Sequence, residues 1–64
     1  MEILRKELKL RGETIGDLAE KLNVSDTAIY LWISGKFLPK AVHVKKMVDL
    51  GFSEDAAINP GTEV

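Results

Sequence analysis

Apolar residues recur along this chain at helical spacing, in short runs separated by residues that stop or start helices. The clearest run spans residues 15–34. Ile15, Leu18, Ala19 and Leu22 repeat every three or four residues, and Ala28, Ile29 and Trp32 do the same. Val24 lies between the two sets, and Asn23 marks a point where the chain must turn sharply. Such spacing predicts two short amphipathic helices packed through small and apolar residues and joined by a tight turn. The second helix keeps a free face carrying Ser25, Asp26, Thr27, Tyr30, Leu31 and Ser34.

The flanking sequence predicts three more helices. A first helix over 2–11 turns Ile3, Leu4 and Leu8 inward, and Gly12 stops it. Thr14 caps the second helix, with Asp17 placed to complete a capping box. Gly16, in its first turn, weakens that helix by about 1 kcal/mol relative to Ala. It suits either a close approach of backbone to a phosphate or simple packing. Ser25 caps the third helix, Asp26 sits at its positive end, and Gly35 ends it. Pro39 suits the first turn of a fourth helix over 39–50, whose apolar face is Ala41, Val44, Met47, Val48 and Leu50. Ser53 caps a last short helix with Glu54 and Asp55 in its first turn. Asn59-Pro60-Gly61 breaks the pattern, so one domain over 1–58 and a loose tail over 59–64 are expected. No stretch alternates convincingly as a strand. The expected class is all-α, a five-helix domain.

Residues 15–34 resemble the helix-turn-helix of the phage Cro and repressor family. Ala19, Asn23 at the usual turn glycine, Ile29 and Trp32 carry the match. Gly35-Lys36-Phe37-Leu38-Pro39 is similar to that family's loop after the recognition helix, and Leu50-Gly51-Phe52-Ser53 to its junction between fourth and fifth helices. The resemblance covers roughly residues 3 to 57. It implies a compact lambda-repressor-like domain, double-stranded DNA as partner, a homodimer on DNA, and a cytoplasmic regulator of a bacterial or phage-infected cell. Two positions depart from the pattern. Asn23 replaces Gly, and Asn tolerates the left-handed backbone better than other non-Gly residues. Ile15 stands where the family often has a phosphate-clasping Gln, so that contact is expected to be missing or replaced by backbone N–H groups.

Sixty-four residues make one domain, which buries only about 60% of its unfolded surface. With no cysteine and a single histidine, neither disulfides nor structural zinc can support it. No apolar run approaches the roughly 20 residues that span a bilayer, and Met1 to Leu10 does not read as a signal peptide. The net charge of −1 argues against nucleic acid until its distribution is read. Residues 1–11 carry +2, 12–34 carry −3, 35–46 carry +4 and 47–64 carry −4. The acid-free segment with Lys36, Lys40, Lys45 and Lys46 directly follows the third helix.

Catalysis has little support: His43 stands alone, no acid pair has an evident pocket, and no glycine-rich phosphate loop occurs. No cofactor, metal or small-molecule ligand is expected. Trp32 shares a face with Ile29 and reads as core. Base readout falls to Asp26, Thr27, Tyr30 and Leu31. Asp26 can accept from cytosine N4, and Thr27 and Leu31 can meet thymine methyl groups. No Arg, Asn or Gln stands on this face, which limits specificity per half-site. Phosphate contact falls to Lys36 and Lys40, then to Thr14, Ser25, Ser34 and Lys45. The fourth and fifth helices, with Phe37 and Phe52, form the expected dimer surface. The leading reading is a transcriptional regulator acting by operator occupancy. An excisionase-like or small-terminase-like DNA-binding protein is an alternative, and so is a protein-interaction module without DNA binding.

Overall fold

The first helix, α1 (Ile3–Arg11), buries Leu4 and Leu8 and ends at Gly12, whose φ of 69° lets its N–H return to the Leu8 and Lys9 carbonyls. The computed structural model describes all 64 residues and is all-α, with α2 (Ile15–Leu22), α3 (Asp26–Ile33), α4 (Ala41–Asp49) and α5 (Glu54–Ile58) following in order. Each boundary has a local chemical cause. Thr14 and Asp17 form the reciprocal capping box, Thr14 Oγ1 accepting from Asp17 N at 3.0 Å and Thr14 N donating to Asp17 Oδ2 at 2.9 Å. Asn23 adopts the left-handed conformation at φ 56° and returns its N–H to the end of α2. Ser25 and Ser53 accept from Ala28 N and Ala56 N at the starts of α3 and α5.

Every helix contributes to one apolar core, in which Leu4, Leu18, Ile29, Met47 and Ala56 are fully enclosed. The α2–α3 pair packs through Leu18, Ala19, Leu22, Ile29 and Trp32, as the spacing predicts. Helix α4 lies against α5 and α2, and α5 also rests on α1.

Four expectations need correction. Helix α4 starts at Ala41 rather than Pro39, because Lys40 is extended and acts as the cap position. Its apolar face is narrower than the spacing suggests: Met47 is buried, Val44 and Leu50 are half-buried, and Ala41 and Val48 are exposed. Phe52 is only 3% exposed and cannot form a dimer surface. Gly51, at φ 98°, turns the chain so that the Phe52 ring goes inward, and the Arg11 guanidinium covers it at 4.1 Å. Arg11 also donates to the Leu50 carbonyl at 2.8 Å, tying the end of α1 to the α4–α5 turn.

The last correction concerns residues 59–64. They fold back along α1 instead of forming a loose tail. Glu2 has no side-chain cap to offer, and the free N–H groups of Ile3 and Leu4 donate to Thr62 O at 2.7 Å and Pro60 O at 3.3 Å. Pro60 is fully buried, and an isolated antiparallel bridge joins Glu2 to Glu63. Buried N–H groups need acceptors, and the C-terminal carbonyls supply them.

Candidate nucleic-acid interface

The exposed side of α3 is the only helix face here with hydroxyl, carboxylate and phenol groups standing together. Two depressions flank it. One, of about 450 Å³, lies between α1, the start of α2 and α3, and is lined by Arg5, Lys9, Thr14, Gly16, Asp26 and Tyr30 among others. The second, of about 270 Å³, lies beyond α3, where Ala28, Leu31 and Trp32 meet Phe37, Leu38, Lys40 and His43. Asp26 and Tyr30 are one turn apart and face the first. Leu31 faces the second.

Asp26 leans toward α2. A Cβ placed on Gly16 would lie 4.0 Å from Asp26 Oδ2 and 3.6 Å from Thr14 Oγ1, both ordinary contacts. Packing therefore does not require glycine at position 16. Tyr30 is half-exposed, and the Arg5 guanidinium lies 5.7 Å from its ring centroid. Leu31 is half-buried, so it offers an edge rather than a whole side chain. Thr27 is exposed, with its hydroxyl and methyl both free of the core.

The hydroxyls expected to meet phosphate are not equivalent. Thr14 and Ser25 accept from backbone N–H groups and keep their own protons for donation. Ser34 Oγ donates to the Leu31 carbonyl at 2.9 Å, so its proton is already engaged. Lys36, Lys40 and Lys45 are exposed and make no ion pair, and of the three only Lys40 lines the depression beyond α3. Trp32 is buried as expected, its ring 5.4 Å from that of His43.

Arg5 and Lys9 also stand beside this face, which the sequence alone does not reveal. They are four residues apart on α1 and so share one side of it, but only the packing of α1 beside α2 and α3 brings that side next to the exposed face of α3. Arg5 is held by Glu2 at 3.0 Å, whereas Lys9 has no ion-pair partner.

Glu13 braces the turn before α2. It accepts from Lys21 at 3.1 Å and from Arg11 at 3.0 Å. The Lys21 hydrogen bond chiefly lowers its pKa below the ordinary 4.5, with desolvation opposing and Arg11 assisting. The Thr14 backbone N–H, then its hydroxyl, lowers that of Asp17 below 3.8. Carboxylates with depressed folded pKa values stabilise above their unfolded values and lose that contribution as pH falls through the folded ones. Melting temperature is therefore expected to fall on acidification below about pH 4. The double variant Glu13→Gln, Asp17→Ala is expected to show a shallower fall; equal pH dependence in calorimetry would remove these two groups as its source.

Comparison with protein-family models, curated proteins and solved structures finds no match to this chain.

Proposed function

We propose that this chain binds double-stranded DNA in a sequence-dependent way, as a small transcriptional regulator of the Cro/repressor type that acts by occupying an operator. One observation carries this reading: α3 presents an exposed polar face between cations, with Arg5 and Lys9 lining the depression on one side, Lys40 lining that on the other, and Lys36 exposed in the loop that follows α3. A major groove admits a helix and is bounded by two phosphate strands. Cations on both flanks of a helix match that arrangement. The turn at Asn23 and the apolar α2–α3 contact hold α3 rigidly, which base reading needs.

In this reading Thr27 and Tyr30 meet base edges, Leu31 contributes an apolar edge, and Asp26 accepts from a cytosine amino group or excludes other bases. Lys36 and Lys40 meet one phosphate strand. Arg5, Lys9, Thr14 and the first N–H groups of α2 meet the other. Ser25 donates from the start of α3, while Lys45 and Ser34 are secondary. Two copies would set their recognition helices about 34 Å apart on a palindrome.

A mobility-shift selection from random duplexes tests the proposal and is expected to enrich a short two-fold motif. Absence of both retardation and enrichment at low salt would overturn it. Lys36→Ala and Lys40→Ala are each expected to weaken binding alike on all sequences, reducing the salt slope by roughly 1 per lost phosphate contact. An unaltered slope in both variants would place the 35–46 segment away from DNA. Asp26→Asn removes a charge that repels phosphate, so non-specific affinity is expected to rise while the ratio of specific to non-specific binding falls.

A further inference from the structure

Tyr30 is the largest side chain on the exposed face of α3, and the core does not hold it. It is half-exposed. The side-chain hydrogen bonds at α3 are those of Ser25 and Ser34, so the phenol has no partner within the chain. A reading ring that is free to turn must be ordered on binding, which weakens the complex.

What lies against this ring is Arg5. Its guanidinium carbon is 5.7 Å from the ring centroid, inside the range of about 6 Å over which a cation is attracted to an aromatic face. Arg5 is itself held, its Nε pairing with Glu2 Oε1 at 3.0 Å. Glu2 is fixed in turn. Its backbone bridges to Glu63, its carbonyl accepts from Lys6 N at 3.0 Å, and its carboxylate does not cap α1. Contacts therefore run from residues 59–64 through Glu2 and Arg5 to the exposed face of α3. The guanidinium has further N–H groups beyond Nε, so holding Tyr30 does not exclude phosphate contact by Arg5.

We infer that Arg5, anchored by Glu2, is a positioning residue for Tyr30, fixing the ring in the orientation from which it meets a base. The inference rests on the proposed DNA-binding reading. It places a determinant of sequence preference on α1, outside the α2–α3 unit.

Two measurements test it. The first uses the free protein. Tyr30 is the only tyrosine, so its ring is identified directly by NMR. The Arg5 δ and Nε–H protons are expected to show an upfield ring-current shift that is lost in Tyr30→Ala and reduced in Glu2→Ala. The second compares affinity for the duplex recovered by the selection with affinity for a scrambled duplex. Glu2→Ala removes the anchor and is expected to lower that ratio about two- to tenfold. In a Tyr30→Ala background it is expected to leave the ratio unaltered. If Glu2 acted only as a surface charge, its loss would strengthen binding to both duplexes alike. Arg5→Lys keeps the charge but not the planar fork, so it is expected to retain the salt slope and lower the ratio.

An Arg5 without a Tyr30-dependent shift, a ratio unaltered in Glu2→Ala, or an equal fall with and without Tyr30 would each overturn the positioning role. An enriched motif without the shift would overturn that role alone. No enriched motif with the shift intact would overturn the DNA reading, and the positioning role with it.

Discussion

Trp32→Ala is expected to leave most of the protein unfolded at room temperature. The side chain is 5% exposed, belongs to the shared core, and lies against the His43 ring on one side. Truncating a buried Trp costs about 3–5 kcal/mol, and a single core in a chain this short supplies no more than about 3–5 kcal/mol in total. The two quantities are equal in size, so little stability is left. Because Trp32 is the only tryptophan, the check is helical circular dichroism rather than fluorescence. A cooperative melt near the wild-type temperature would mean that α3 is not held through this residue. Trp32→Phe, which keeps an aromatic ring in the core, is expected to retain a cooperative transition at lower temperature.

Gly61→Ala is expected to be the most damaging single-methyl addition among the glycines. A Cβ at that position would stand 2.5 Å from the Ile33 carbonyl oxygen, a backbone atom that no rotamer change can move. Relief requires the 59–62 segment to lift from the end of α3. That lift also withdraws the Pro60 and Thr62 carbonyls from Leu4 and Ile3, uncovering the start of α1. Overpacking of this kind costs about 1–3 kcal/mol, a large share of the total. Gly16→Ala is the contrasting case, since its added methyl meets nothing closer than 3.6 Å. It gains helix propensity in α2, so stabilisation by up to about 1 kcal/mol is expected. Thermal melts of the two variants check the contrast, and faster amide exchange at Ile3 and Leu4 in Gly61→Ala locates the damage. Equal melting temperatures would show that the C-terminal segment does not brace the domain.

The candidate interface is partly legible in the amino-acid sequence. The exposed side of α3 follows from its amphipathic spacing, and the lysines of 35–46 from their clustering. Arg5 and Lys9 were visible as charges without an address, because a helix periodicity gives no information about which neighbour its polar side will meet. The spacing alone puts Asp26, Tyr30 and Leu31 on one face. Packing separates them, because α1 closes one side of α3 and the 35–40 loop closes the other.

What the amino-acid sequence determined by itself is where the helices begin and end. Gly12, Asn23 and Gly35 take left-handed backbone, and Thr14, Ser25 and Ser53 cap the helices that follow them. Each signal acts through hydrogen bonds that span three to five residues, so it survives without any knowledge of the fold. Only the tertiary structure decided the burial of Phe52, the seating of residues 59–64 on α1, and the placement of Arg5 beside Tyr30. Each of these joins groups distant in the chain. Their partners are chosen by which apolar surfaces close the core and which N–H groups that closure leaves without water, and those conditions exist only once all five helices are in place.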